Sequence, residues 1–147
     1  PVSLASSILG SPERVTAVSD RATTGVDAQT SILLQYPGGA HAVITTTLEA
    51  RGSNRASVIG TEARIEIDEV WYTPTSFSLV RPGESAPERF ESPRIGQGLR
   101  YEAAEVARCL REGLTESPVM PLSETLSIMT TMDEIRAQIG LRYPSEI

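Results

Sequence analysis

The chain of 147 residues contains no lysine, because all 13 of its basic residues are arginines. Schiff-base chemistry and a lysine general acid are therefore excluded from this chain, since both need a lysine amine. A single cysteine, Cys109, excludes an internal disulfide, and with a single histidine, His41, we expect no structural metal site. The small number of residues that could form a disulfide or bind a metal fits a cytoplasmic setting.

Long apolar runs and an excess of positive charge are also missing. The apolar stretches are only a few residues long, whereas a membrane-spanning helix needs roughly 20. The first residues have neither the basic nor the apolar region of a signal peptide. The net charge of −6 argues against nucleic acid, since phosphate binding needs a cationic patch. Length and composition therefore predict one soluble globular domain over residues 1–147 with no membrane or nucleic-acid partner.

What the chain does contain is a two-residue alternation that predicts antiparallel strands. Residues 27–36 place Ile32 and Leu34 on one face, and residues 41–49 repeat the pattern after the turn-forming Pro37-Gly38-Gly39. We therefore predict a hairpin. Further strands are predicted at residues 15–18, 53–59, 63–67, 76–81 and 88–91.

Helical spacing of apolar residues appears on both sides of this run. Leu4 and Ile8 predict a short helix that ends at Gly10. After the strands, two longer helices are predicted, which end at Gly113 and Gly140. Their apolar stripes are Leu99, Ala103, Val106 and Leu110 in the first, and Leu122, Leu126, Met129 and Met132 in the second, widened by Ile128, Ile135 and Ile139.

Strands followed by helices predict an α+β fold. We expect a mostly antiparallel open sheet of about six to eight strands with helices packed on one face. The opposite face of the hairpin carries few charges, and such a face suits a protein partner. A solvated face rich in threonine is the alternative, since threonine favours strands, and we favour the partner. The residues of this face are Gln29, Ser31, Leu33, Val43, Thr45 and Thr47.

Trp71 and Tyr72, with Phe77 nearby, form the one concentration of aromatic residues. Aromatic walls suit a sugar or a ring-shaped substrate, which makes this segment a candidate pocket. Buried aromatic residues also dominate protein cores, so a hydrophobic plug at the end of the sheet explains the same residues equally well.

A second candidate, Gly96-Gln97-Gly98, precedes a helix as a phosphate-binding loop does. A helix N-terminus can hold an anion, and Arg94 and Arg100 are near in sequence. The dinucleotide fingerprint, however, needs a third glycine and a preceding buried strand, and Tyr101 stands at the glycine position. We therefore expect turn residues rather than a cofactor site.

The remaining reactive residues favour structural explanations. His41 would need a serine and an acid in a demanding geometry to form a hydrolase site, and its neighbours predict an exposed strand start. Cys109 lies beside an apolar stripe and fits a packed thiol. Paired carboxylates fit solvated surfaces better than acid–base catalysis; the pairs are Glu66/Asp68 and Glu102/Glu105.

Taken in order, these elements resemble a known family. The stretch SILLQYPGGAHAVITTTLEARGSNRASVIGTEARIEI (31–67) resembles the sheet of the C-terminal domain of the glucose–fructose oxidoreductase / inositol dehydrogenase / MocA family (Gfo/Idh/MocA). The stretch GLRYEAAEVARCLREGLTESPVMPLSETLSIMTTMDEIRAQIGLRYP (98–144) is similar to that family's closing helix pair, closest to its dimeric dihydrodiol dehydrogenase-like branch. The helix–loop–helix phrase is the more specific of the two.

The resemblance implies a two-domain enzyme. An N-terminal Rossmann domain binds NAD or NADP and supplies a lysine for proton transfer, while the C-terminal domain shapes the substrate site and forms a dimer through its sheet. Hydride passes between the nicotinamide and a sugar, polyol or diol. In that branch a junction helix leads into a phrase like Pro1-Val2-Ser3-Leu4, so we expect this chain to be a C-terminal fragment that alone binds no dinucleotide and is inactive. Trp71 and then Tyr101 are the residues expected to touch substrate.

Two other functions stay open from the sequence. One is a free-standing protein-binding or oligomerisation module that uses the sheet face and performs no catalysis. The other is a small hydrolase centred on His41.

Overall fold

The computed structural model describes residues 1–73, 75–92, 96 and 98–143. The chain divides into two compact units, one formed by Pro1–Arg51 with the chain from Pro118 onward, the other by Gly52–Ser117. In chain order the elements are α1 (Val2–Leu9), β1 (Arg14–Arg21), β2 (Asp27–Gln35), β3 (His41–Thr47), β4 (Ala56–Ile59), β5 (Arg64–Ile67), β6 (Phe77–Val80), β7 (Glu88–Phe90), α2 (Leu99–Arg111) and α3 (Leu122–Ile139).

The first unit contains an antiparallel sheet with the strand order β1-β2-β3. Burial along β2 alternates as predicted, and its inward residues Ile32 and Leu34 lie opposite Ile44 and Ala42 of β3. A single 3₁₀ turn, Pro37–Gly39, connects the two strands, and Gly38 adopts φ 78°, a left-handed conformation that glycine accepts without strain. The predicted hairpin is therefore confirmed.

Helix α3 covers the inner face of this sheet and completes its core. Ile135 of α3 packs against Val15, Ile32, Leu34 and Tyr36, and α1 packs around the same cluster. Leu34 is fully enclosed, with 0% of its surface exposed. Burial of each such side chain contributes about 1.5–3 kcal/mol, so this cluster is the main source of stability in the unit.

Hydrogen bonds fix α3 along the outer edge of β1. The Gln138 side-chain amide accepts a bond from the Ala17 N–H (2.9 Å) and donates one to the Val15 carbonyl (2.9 Å). Gln138 thus binds the free edge of β1 as a neighbouring strand would. At the end of the helix, Arg21 donates to the Ile139 carbonyl (3.0 Å), one of the carbonyls that a helix C-terminus leaves unpaired.

The second unit contains an antiparallel sheet with the order β4-β5-β6-β7. Phe77 of β6 stacks on Phe90 of β7, with ring centroids 4.7 Å apart and planes 11° apart. Arg89 of β7 reaches across the strands, donating to Asp68, to Glu91 (2.9 Å) and to Ser78 (3.1 Å). These contacts bind the short β7 to the sheet.

The predicted α+β class is confirmed, and the described residues form seven strands, all paired antiparallel, within the expected six to eight. Their hydrogen bonds group them into two sheets, a division that alternation along single strands does not reveal. No helix in the described part of the chain combines the length and apolar character needed to cross a membrane.

The helices bury different residues from those in the predicted stripes. In α2 the stripe residues Leu99 and Leu110 are about 70% exposed (69% and 72%), and Cys109 is the buried residue. In α3 the stripe is also exposed, and of the three residues that widened it Ile128 and Ile135 are buried while Ile139 is half-buried. Helical spacing identifies apolar faces, but α3 is apolar on two sides, and spacing alone does not determine which side meets the sheet.

Candidate functional site

The aromatic candidate Trp71 lies in the loop after β5. Its indole makes an edge-to-face contact with Tyr72, with ring centroids 5.7 Å apart and planes at 89°. Trp71 is half-buried, whereas Tyr72 is 64% exposed. The pair therefore presents one ring that is held in place and one that is open to a ligand, a geometry that suits contact with a sugar or an aromatic ring.

Backbone hydrogen bonds fix this loop. The Trp71 N–H donates to the Asn54 carbonyl (3.2 Å), and Asn54 itself adopts φ 51°, a left-handed conformation that asparagine tolerates better than most residues. Thr73 donates to the Val70 carbonyl through both its N–H (3.0 Å) and its hydroxyl (2.9 Å). These bonds fix the backbone of the loop at Trp71 and on both sides of it.

The second candidate, Tyr101, lies in the first turn of α2 and is exposed. Arg100 donates to its hydroxyl (3.0 Å), and the guanidinium carbon lies 4.7 Å from the ring centroid. Trp71 contacts Tyr72, whereas Tyr101 contacts Arg100. Each of the two predicted substrate residues therefore has a different local partner. Phe77 belongs to the sheet through its stack with Phe90, and the aromatic concentration seen in the sequence is divided between loop and sheet.

A shallow groove of about 270 Å³ lies at the β4–β5 turn, away from Trp71 and Tyr101. Its two cations are already engaged: Arg64 pairs with Glu66 (2.7 Å), and Arg81 pairs with Glu88 (2.9 Å). The hydrogen bonds from Ser57 and Arg64 also lower the pKa of Glu66. Because these charges neutralise one another, the groove offers little to an anionic ligand.

A polar cluster connects α2 to the segment that follows it. Glu105 accepts hydrogen bonds from Arg108 (2.7 Å) and from the Ser117 hydroxyl (2.6 Å), which hold its pKa at about 2. The Cys109 thiol, 3.5 Å from Glu105, is buried, and desolvation raises its pKa. A thiol held neutral in this way is a poor nucleophile, in agreement with the packed thiol predicted from the sequence.

Among the described residues, the other sequence candidates are not brought together with a possible catalytic partner. His41 is exposed at the start of β3, opposite Gln35. Of the glycine motif, Gln97 and the neighbouring Arg94 lie outside the described residues. Gly98 adopts a left-handed conformation at the N-cap of α2. Across residues 1–73, 75–92, 96 and 98–143, no three His, Cys, Asp or Glu side chains gather closely enough to hold a metal ion.

The outer face of the first sheet matches the predicted partner surface in its residues and register. Leu33 lies opposite Val43, and Ser31 lies opposite Thr45. β1 extends this face, and its Val18 is 66% exposed, while Val43 of β3 is 78% exposed. Two valines this open on a regular sheet leave an apolar surface uncovered within the described part of the chain.

The structure adds two residues to those singled out from the sequence, the exposed ring of Tyr72 and the side-chain amide of Gln138. Tyr72 was part of the aromatic concentration, and its adjacency to Trp71 was the one signal for its exposed ring. Gln138 carries no local signal, because its two hydrogen bonds reach residues more than 120 positions away.

Comparison with known proteins agrees with the family resemblance seen in the sequence. Residues 1–66 match a family model described as the GFO/IDH/MocA C-terminal domain. Over 140 residues, or 92% of the chain, the sequence is 39% identical to trans-1,2-dihydrobenzene-1,2-diol dehydrogenase of Oryctolagus cuniculus. The chain spans 43% of that relative's length.

Solved structures share the fold at low sequence identity. A UDP-N-acetylglucosamine 3-dehydrogenase from Acidithiobacillus ferrooxidans superimposes with a TM-score of 0.79 at 13% identity, over 94% of this chain and 44% of its own. A 3-ketoreductase from Actinomadura kijaniata, in complex with NADP and TDP-benzene, gives 0.75 at 20% identity, over 95% of this chain and 43% of its own.

Proposed function

Because the chain belongs to the Gfo/Idh/MocA family as a C-terminal domain, we propose that it is the substrate-shaping and subunit-pairing part of a longer NAD(P)-dependent oxidoreductase. The substrate class is a sugar, polyol or diol. The observation that carries this proposal is the similarity along nearly the whole chain to a diol dehydrogenase more than twice its length.

The NAD or NADP belongs to the preceding domain in this proposal, because the described residues do not fit a dinucleotide. The strand before α2 is β7, a three-residue strand that is exposed and antiparallel, whereas a dinucleotide fold needs a buried parallel strand there. Tyr101, where the fingerprint has its third glycine, carries a side chain engaged by Arg100. The bound nicotinamide would supply the hydride chemistry, and this chain would shape and enclose the substrate.

Trp71 is the proposed substrate wall, with Tyr101 as the second contact. The anchored loop and the edge contact with Tyr72 support this role for Trp71, since a preformed aromatic surface loses little entropy when a ring binds. In the longer protein, Trp71→Ala should lower kcat/KM by about tenfold or more, as expected for the loss of roughly 1.5 kcal/mol of ring contact.

The matched control for this variant is Tyr143→Ala. Tyr143 is an exposed aromatic residue of the first unit, stacked under Arg136 at 4.4 Å. This control should leave kcat/KM unchanged. An unchanged kcat/KM in Trp71→Ala would remove Trp71 from the substrate site.

The whole proposal is tested by the source gene and by cofactor binding. The reading frame upstream of Pro1 should encode a dinucleotide-binding domain, and the complete protein should reduce NAD(P)⁺ with a trans-dihydrodiol or a sugar. The 147-residue chain alone should not bind NADPH in a fluorescence titration. A stop codon directly before Pro1, or tight NADPH binding by the isolated chain, would overturn the proposal.

A second candidate is a free-standing protein-binding module without catalysis, which the exposed sheet face favours. The same upstream reading frame distinguishes the two. In both cases we propose that the chain forms a homodimer through that face, and in the enzyme we place it in the cytoplasm.

A further inference from the structure

The two compact units are held together by different forces. In the first unit a hydrophobic cluster around Leu34 joins the sheet to α3, and Leu34 has 0% of its surface exposed. In the described part of the second unit, Cys109 is the one hydrophobic residue that is buried. Burial of apolar surface is the dominant favourable contribution to folding, so the second unit receives much less of it than the first.

The apolar side of the second sheet shows the same difference. Cross-strand register places six apolar residues in two adjacent rows, Ile67–Phe77–Phe90 and Val58–Ile65–Leu79. Five of the six are half-buried, and Phe90 is 38% exposed. Because hydrophobic stabilisation scales with the apolar area removed from water, each of these side chains stabilises its unit less than a fully enclosed leucine does.

Charged pairs provide much of the remaining cohesion of the second unit. Arg89 of β7 pairs with Asp68 and with Glu91 (2.9 Å), and Arg108 of α2 pairs with Glu105 (2.7 Å). The side chains of both arginines are more than a third exposed (39% and 35%). Exposed ion pairs each contribute little and are weakened by salt, so a unit held in this way should open more readily than one with an enclosed core.

The second unit is inserted in the chain between two elements of the first. The chain enters it after β3 and returns to the first unit ahead of α3. The hydrophobic cluster is formed by α1, the strands of the first sheet, the turn between β2 and β3, and α3, all of which belong to the first unit. Opening of the second unit would therefore leave that cluster intact, as expected for proteins that open in contiguous cooperative segments.

We propose that residues 52–117 unfold and refold as one cooperative unit while the first unit stays folded, and that ionic strength sets how often this occurs. Trp71, Tyr72 and Tyr101 all belong to this unit. In the proposed function, on which this consequence rests, each opening takes the substrate wall apart and leaves the core of the first unit in place. Salt then regulates the substrate site without unfolding the whole chain.

The experiment is hydrogen–deuterium exchange of the 147-residue chain, followed by mass spectrometry of peptides from each element. Amides in β5, β6 and α2 should exchange about a hundredfold faster or more than amides in β2 and α3, which global unfolding alone exposes. Raising NaCl from about 0.01 M to about 1 M shortens the Debye length from about 30 Å to about 3 Å. This change should accelerate exchange in the second unit by on the order of fivefold and leave β2 and α3 unchanged.

Two variants test whether the second unit opens as one. Arg89→Met removes the ion pairs of β7 and Arg108→Met removes those of α2, while both keep an apolar side chain of similar length. Each should accelerate exchange in β5, β6 and α2 together by on the order of fivefold. The matched control is Arg14→Met, which replaces an exposed arginine on β1 and should change exchange in neither unit.

Circular dichroism confirms that each variant is folded, and the exchange rates then decide the outcome. Equal exchange in the two units, or acceleration of β2 and α3 by the same factor in Arg89→Met, would show a single cooperative fold and overturn the proposal. Acceleration confined to α2 in Arg108→Met would overturn the claim that residues 52–117 open together. Exchange that does not respond to NaCl would overturn the role of ionic strength. These measurements involve no turnover, so their failure would leave the proposed function untouched.

Discussion

Replacing Leu34 by alanine tests whether the first unit depends on the inner face of β2. Leu34 is completely buried and packs with Val15, Tyr36 and Ile135. Leucine-to-alanine changes at such sites remove the transfer free energy of the side chain and leave a cavity that neighbours fill only partly. We expect the free energy of unfolding to fall by about 3–5 kcal/mol, a large share of the 5–15 kcal/mol typical of a domain.

The matched control is Leu33→Ala, the same change one residue away on the opposite face. Leu33 is half-buried on the outer face of the first sheet. In dilute, monomeric protein its replacement should therefore lower the free energy of unfolding by less than about 1 kcal/mol. Urea denaturation followed by circular dichroism gives both values. Equal losses for the two variants, or a loss below about 1 kcal/mol for Leu34→Ala, would refute the assignment of Leu34 to the core.

Two further predictions concern polar groups. The Tyr36 hydroxyl is buried without a hydrogen-bond partner among the described residues, so Tyr36→Phe should leave stability unchanged or raise it by about 1–2 kcal/mol in the same urea assay, and a clear loss would show that the hydroxyl is bonded. Arg108 and Ser117 hold the pKa of Glu105 at about 2, below its ordinary value of 4.5, so the stabilisation is complete above about pH 4.5 and is lost as the pH falls toward 2. Glu105→Gln should therefore lower the urea midpoint at neutral pH, and this difference from wild type should vanish near pH 2. Glu102→Gln, an exposed carboxylate of the same helix, is the control, and a Glu105→Gln difference that stays constant with pH would contradict the linkage.

Local patterns in the sequence predicted the strands well because each depends on neighbours in the chain. The alternation in β2 and the Pro37–Gly39 turn define both the hairpin and its faces. Helix faces were harder to predict, since α3 is apolar on two sides and its partner, β1, lies more than a hundred residues away in sequence. The pairing of Phe77 with Phe90 is likewise a property of strand register rather than of composition.

The candidate site was predictable only in part for the same reason. Aromatic composition indicated Trp71, but the bond from its N–H to Asn54 depends on a contact across 17 positions. Glu105 appeared to be a solvated carboxylate, and its bond to Ser117 depends on how the chain turns after α2. The roles of Trp71 and Tyr101 toward a substrate stay predictions.

The amide of Gln138 also limits the addition of another strand to the outer edge of β1. A bare outer strand invites another chain to add itself, and many proteins block that route with charges or bulges. Here the final helix occupies the hydrogen-bonding groups of Val15 and Ala17 with one side chain. Addition of another strand to β1 at these two residues would first require Gln138 to release them, so the helix that completes the core also protects this part of the sheet edge.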